Sequence, residues 1–287
     1  MPIRVGGMGE SDHALKDLLV LDLTTGVAGA YAGKLLADLG ARVVMVEPEA
    51  GSPLRRRGPA GPGRADGALF EHLSGAKESV VAATTSAAAH LLADACWAAD
   101  VVLRDGTSPW DAAMPANRPE HIVEVDFSPF GRSGPYAGWR GSDIATWALG
   151  GYLYFTGAPD REPLWLPGSQ ASLHAAVHGA FAALVGVRER ARSGWGQRVE
   201  VSELEAALGA HAWLVSSWAA CGQLLGRVPN DLVRMADGWS YVMRIVPNDE
   251  LFVLIERPDL GEEGLTVDMQ TWWANMPRIF DAVADRW

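Results

Sequence analysis

Glu47, Asp126 and Asp143 are the carboxylates whose placement could support chemistry, and His174 and His178 are a histidine pair at i and i+4. Glu47 stands about 20 residues past a glycine-rich bend, Gly26-Val27-Ala28-Gly29-Ala30-Tyr31-Ala32-Gly33, where an acid would meet a dinucleotide ribose. The bend frees the backbone to approach a pyrophosphate, but its spacing is GxxGxxxG rather than GxGxxG. Asp143 follows Gly141-Ser142 and opens a helical stretch, so it reads as a capping acid or as a polar group lining a cleft beside Arg140. The histidine spacing puts both rings on one helical face, yet Ala175 stands where HExxH requires glutamate and no carboxylate lies nearby in sequence. The pair therefore reads as packing or surface histidines, and no metal is expected. Arg55, Arg56, Arg57 and Arg64 lie in EAGSPLRRRGPAGPGRADG, residues 49–67, either a solvated loop or an anion clamp. There is no GxSxG elbow and no P-loop.

The elements that must position these groups are alternating strands and helices. Leu18 to Leu21 is a short apolar run of the kind buried on both faces of a parallel sheet. Ala28 to Leu39 has helical spacing and stops at Gly40; Val43 to Val46 is the next strand, ended by Glu47-Pro48. Strand, helix, strand in this order is a right-handed βαβ unit, and such sheets bind ligands beyond the carboxyl ends of their strands. A short helix and strand are expected over 69–81, an alanine-rich helix over 86–99, and strands over 100–103 and 122–127. The loop 128–136 is too rich in Gly and Pro for regular structure. A helix should span 143–149. A long one should run from a Ser169 cap to about Arg192, then a strand over 198–201. A last helix from Ser202 to about Cys221 has Glu205 at the capping-box position. Asp237-Gly238 is a turn signal, and Tyr241–Val246 and Glu250–Glu256 read as paired strands of a smaller unit, with helix from about Met269. The expected fold is α/β: a Rossmann-like parallel sheet with flanking helices over 15–221, a flexible arm over 1–14, and a small, shortened second domain over 222–287.

At 287 residues and 48% hydrophobic, the chain is long enough for one large domain or two modest ones. A net charge of −11 argues against a nucleic-acid partner, though not against a local basic pocket. Two cysteines, Cys96 and Cys221, suggest neither a disulfide framework nor a zinc motif and fit a reducing cytoplasm. No signal-peptide h-region opens the chain, and no apolar run reaches the roughly 18 residues of a membrane span. Among twelve tryptophans, Trp139, Trp147 and Trp165, with Tyr152 and Tyr154, could line a bulky apolar pocket or simply form core.

Several stretches in fixed order resemble the family III CoA-transferases, the group of formyl-CoA transferase, carnitine CoA-transferase and α-methylacyl-CoA racemase. They are Val20-Leu21-Asp22-Leu23 to Ala28-Gly29; Leu35 to Ala41 and on to Val46-Glu47-Pro48; Ala99 to Val102; Phe130-Gly131 to Gly134-Pro135-Tyr136; Gly141 to Asp143; and Arg190 to Ser202 with its Gly194-x-Gly196-Gln197 turn. The resemblance spans about residues 15–255. It implies a Rossmann-like domain plus a small domain, two chains closed as interlocked rings, and coenzyme A lying across the carboxyl ends of the strands. It implies that Gly26, Val27 and Ala28 offer backbone contacts to CoA, that Arg55 binds phosphate, and that Leu73 and Lys77 continue that pocket. Asp105 and Gly106 stand where many members have Asn-Phe, and Arg140 where a basic residue reaches the CoA phosphates.

Two departures follow. Transferases of this family attack the acyl-CoA thioester with an aspartate near the start of the long helix, forming a mixed anhydride. Counting back from Gly194-Trp195-Gly196-Gln197 puts Ala171 there, flanked by Gln170 and Ser172, and neither an amide nor an unassisted hydroxyl substitutes readily. The racemase histidine is replaced by Ser142, which argues against racemization. The sequence also stops soon after the small-domain strands, so the family's return segment is expected to be missing. Three readings result. The first is a CoA- or acyl-CoA-binding chain acting with a related subunit that carries the aspartate, or through a local group such as Asp143, as a homo- or hetero-oligomer. The second is a non-catalytic scaffold subunit of such a complex. The third is an NAD- or FAD-dependent oxidoreductase.

Overall fold

In the computed structural model, residues 13–83, 85–110, 119–158, 160–222, 227, 232–234, 237–241, 249–267 and 269–286 are described. They fall into two compact units. The first comprises residues up to Tyr152 with Trp165–Ala220, the second Leu153–Leu164 with Cys221–Trp287.

The first unit runs β1 (Leu19–Asp22), α1 (Val27–Asp38), β2 (Arg42–Glu47), α2 (Ala68–Ser74), β3 (Glu78–Val81), α3 (Ser86–Ala98), β4 (Val101–Arg104), β5 (Val123–Ser128), α4 (Asp143–Leu149), α5 (Tyr152–Phe155, shared with the second unit), α6 (Gln170–Ser193), β6 (Arg198–Ser202), α7 (Glu203–Ala210) and α8 (Ala212–Cys221). The six strands pair in parallel in the order β3-β2-β1-β4-β5-β6. Such a sheet must be covered on both faces, and the strand residues divide accordingly. Val20, Val101, Leu103, Val123, Val125 and Phe127 pack with α1 and α6, whereas Leu21, Val46 and Val102 pack with Leu92 and Cys96 of α3. The α6 helix lies against the sheet because its inward stripe is small: Ala175, Ala176, Gly179, Ala180 and Ala183 are buried. A Cβ on Gly179 would lie 2.3 Å from Phe127 Cζ. By length and composition alone α6 would pass for a membrane-crossing helix.

The expected βαβ start, α2–β3 pair and α4 appear where periodicity placed them. The single helix expected from Ser202 to Cys221 is instead two. His211 leaves helical geometry (φ −105°, ψ 21°) and donates its N–H to Leu208 O.

The second unit contains β7 (Leu232–Arg234), β8 (Trp239–Tyr241), α9 (Asp249–Leu254), α10 (Pro258–Glu262), α11 (Met269–Ala274) and α12 (Met276–Arg286). The Asp237-Gly238 turn does join two antiparallel strands, but β8 pairs with β7 on its N-terminal side. The strand expected over Glu250–Glu256 is helix and irregular chain. Phe252 and Ile255 are buried, with Leu251 packed beside them, a helical rather than alternating spacing that joins Met276, Ile279 and Phe280 of α12 in one core. The other expected strand lies almost wholly in 242–248, outside the described residues.

Candidate functional site

Strand order reverses between β1 and β4, whose neighbours β2 and β5 lead away in opposite directions. Open parallel sheets bind ligands beyond the strand ends at such a point. A cleft of about 390 Å³ lies there, in the first unit. Its walls come from the segments that follow β1 (Gly26 to Gly29), β2 (Arg57), β4 (Asp105, Thr107), β5 (Pro129, next to the strand's last residue Ser128) and β6 (Glu203), with Asp143 of α4 and Ser169 and Ser172 at the start of α6. The glycine bend can sit close because Gly29 has no side chain: a Cβ there would lie 2.2 Å from Thr24 Cγ2.

Among the lining residues Arg57 is the one cation and Asp105, Asp143 and Glu203 are the acids. Asp105 is engaged with the bend itself: its Oδ2 accepts from Thr25 N and Gly26 N, each at 2.8 Å, and its Oδ1 accepts from Thr107 N and Oγ1. The carboxylate thus occupies amides at the start of α1 that an anion would otherwise use. Asp143 serves a helix other than its own. Ser142 caps α4 by accepting from Ala145 N, while Asp143 Oδ1 accepts from Ala171 N and Oδ2 from Trp165 Nε1, both at 3.0 Å. Ser169, expected to cap α6 through its side chain, holds the N-cap position in a left-handed conformation (φ 58°, ψ 45°). Its Oγ accepts from Arg57 Nη2 at 2.5 Å instead.

The residue expected at the nucleophile position, Ala171, is fully buried, and the side chain beside it that reaches the cleft is Ser172. Ser172 Oγ donates to Glu203 Oε1 at 2.7 Å. Burial pushes the Glu203 carboxyl above its usual range; the Ser172 hydrogen bond opposes this, and the neighbouring charges of Asp143 and Asp105 add to it. Sequence reasoning does not single out Glu203, because the Ser202–Glu205 capping-box pattern already accounts for the helix start; of that box, Ser202 Oγ accepts from Glu205 N.

The remaining expected site residues lie elsewhere in the same unit. Arg55 is committed: its Nε and Nη2 donate to the two oxygens of buried Glu47 at 2.6 Å, its Nη1 to Asp66 at 2.7 Å, and its guanidinium carbon lies 4.1 Å from the centre of the Phe70 ring. The Arg55 hydrogen bonds hold the Glu47 carboxyl at about 2, against the cost of burial. Glu47 therefore has its charge satisfied within the fold. Lys77 Nζ, with no exposed side-chain surface, donates to Asp22 Oδ2 and to Ala30 O. Leu73 packs with Val27 and Phe70. Arg55 and Lys77 border a second cavity of about 370 Å³. Of the arginine loop, Arg56 donates to Ala50 O and Arg64 pairs with Glu71, so Arg57 alone lines the first cleft. Arg140 is exposed beside the cleft-lining Gly141. Asp126 is buried. Burial works to raise its pKa, but Arg132 and Arg198 hold it below the usual range. Trp147 is buried against Tyr152 and His174, while Trp139, Tyr154 and Trp165 are exposed. His178 Nδ1 meets His174 O, and among the described residues no group of three or more His, Cys, Asp or Glu is placed to hold a metal ion.

A six-stranded parallel sheet in this order, with a polar cleft at its switch point, defines a doubly wound α/β protein whose candidate site lies at the carboxyl edge. The sequence model of CoA-transferase family III matches residues 15–287, and the chain belongs to that family. It is 32% identical over 239 residues to the succinyl-CoA–D-citramalate CoA-transferase of Chloroflexus aurantiacus, covering 79% of this chain and 58% of that one. It is 32% identical over 197 residues to the succinyl-CoA:(R)-benzylsuccinate CoA-transferase subunit BbsE of Thauera aromatica, covering 65% and 48%. The chain thus spans about half the length of these curated relatives. A crystal structure of a hypothetical protein from Mycobacterium tuberculosis superposes with a TM-score of 0.80 at 27% identity, covering 96% of this chain and 78% of the other.

Proposed function

We propose that this chain binds CoA or an acyl-CoA at the carboxyl edge of its sheet. It would take part in CoA transfer between carboxylic acids together with a related subunit that brings the attacking aspartate. The observation that carries this reading is the cleft itself. It brings the glycine bend and the Arg57 guanidinium together at the switch point, while the start of α6 offers Ser172 beside Ala171, the position at which the resemblance expects the transferase aspartate. The Thauera relative is itself named as a subunit, which supports a multi-chain arrangement. Arg57 would meet a phosphate or thioester oxygen, and the bend would supply backbone donors.

Titration calorimetry with CoA and acetyl-CoA tests it. The wild-type chain should bind both, and Arg57→Ala should bind about 10- to 100-fold more weakly, the size of one lost charge-assisted hydrogen bond. The isolated chain should show no CoA exchange from succinyl-CoA to an acceptor acid, and addition of an aspartate-bearing sister chain should restore it. Efficient exchange by the chain alone would sink the partner requirement. A second reading, a scaffold that no longer takes CoA, is favoured by the Asp105 carboxylate on the Thr25 and Gly26 amides. Absence of any binding heat would decide for it.

A further inference from the structure

A hydroxyl is a poor nucleophile without a base, and Ser172 has one. Its Oγ already donates to a carboxylate oxygen of Glu203, 31 residues away in sequence, inside the same cleft. Ser172 is also the third residue of the 24-residue helix α6, where the helix dipole favours developing negative charge. Burial and the nearby Asp143 and Asp105 charges make the ionised Glu203 a stronger base than an exposed glutamate. Arg57, which donates to Ser169 and lines the same cleft, is a cation available to a tetrahedral oxyanion.

We propose that Ser172 and Glu203 form a nucleophile–base pair that hydrolyses acyl thioesters through an O-acylserine, an activity this chain has on its own. The proposal rests on the thioester-binding reading above. In the first step Ser172 Oγ bonds to the thioester carbonyl carbon and its proton passes to Glu203. The carbon–sulfur bond then breaks, and the thiolate takes that proton and leaves as thiol. In the second step water attacks the ester carbonyl and gives its proton to Glu203. The ester C–O bond breaks, Ser172 recovers the proton, and a free carboxylic acid is released. Because an oxygen ester lies lower in free energy than a thioester, the acyl group does not return readily to CoA, and water is the acceptor.

Two probes separate this proposal from the reading it rests on: acetyl-CoA, and p-nitrophenyl acetate, which needs no CoA site. Intact-mass spectrometry with peptide mapping should find one acetyl group on Ser172 with each. The adduct should survive neutral hydroxylamine, as an ester does and a mixed anhydride does not. Ser172→Ala should lose both the adduct and the hydrolysis. The near-isosteric Glu203→Gln should slow acylation about 100-fold or more while retaining the serine. Both variants are checked for acetyl-CoA binding by calorimetry, so that misfolding is not mistaken for lost chemistry. Binding of acetyl-CoA without Ser172 acylation by either probe overturns the pair and leaves the binding reading standing. Acylation by p-nitrophenyl acetate without acetyl-CoA binding overturns the thioester assignment and leaves the nucleophile. Wild-type hydrolysis rates in Ser172→Ala overturn the proposal outright.

Discussion

Asp105 is the residue that sets how an anion meets this cleft. Its carboxylate holds the Thr25 and Gly26 amides and stands in front of the bend from which CoA contacts are expected. Any phosphate brought to Gly26–Ala28 must approach a like charge before it reaches a backbone donor. Asp105→Asn removes that charge and keeps one oxygen to accept from the Thr25 and Gly26 amides, while its NH2 replaces the oxygen that accepts from Thr107 N. CoA should therefore bind several-fold more tightly, about 5-fold for 1 kcal/mol, with a modest fall in melting temperature from the lost Thr107 bond. Unchanged or weaker binding in calorimetry would mean that the CoA phosphates lie away from the bend. The reverse logic applies to Arg55. Its guanidinium is spent on Glu47 and Asp66, so Arg55→Ala should act on the fold first, stranding a buried carboxylate at a cost of about 3 kcal/mol or more. A large fall in melting temperature is expected, whereas Arg57→Ala should leave stability nearly intact and weaken the ligand.

At the scale of elements, the β2 carboxyl end is tied down through one side chain. Glu47 accepts from Arg55, Ser79 and Ser52 N, so strand, loop and neighbouring strand meet on a single carboxylate. Its folded pKa of about 2 lies below its ordinary 4.5, so its stabilisation is fully present above about pH 4.5 and is lost as the pH falls toward 2. Acid melting curves should steepen across that window, and Glu47→Gln, already destabilised, should show a shallower slope there. The strands and α4 were legible because buried strands and amphipathic helices carry their own period. The arginine loop was not, because nothing periodic tells Arg57 from Arg55; that choice depends on Glu47 at the end of β2, on Asp66 later in the same loop and on Ser169 from the start of α6. The Ser172–Glu203 bond was illegible for the same reason. It exists only once β6 has paired with β5 and delivered α7 beside the start of α6. The α9 stretch reads as strand in the sequence because six residues of mixed apolar character suit either period until a neighbouring helix supplies the core.

The whole molecule carries a net charge of −11, while the proposed ligand is a polyanion and the cleft holds three acids against one arginine. Two electrostatic effects then act on association with opposite salt dependence. The contact with Arg57 is attractive and weakens with added salt. The long-range field is repulsive and is screened by added salt. The encounter is governed by charges many ångströms away, and the Debye length falls from about 30 Å at 0.01 M to about 10 Å at 0.1 M. The repulsion should therefore win in the association rate, and the local contact should show mainly in dissociation. Stopped-flow measurements between 10 and 150 mM NaCl should find CoA associating several-fold faster as salt rises, the reverse of a basic anion site. Dissociation should quicken modestly and Arg57→Ala should flatten that part alone. A rate of association that falls with salt would mean that the arginine loop, rather than the acidic body, steers the ligand.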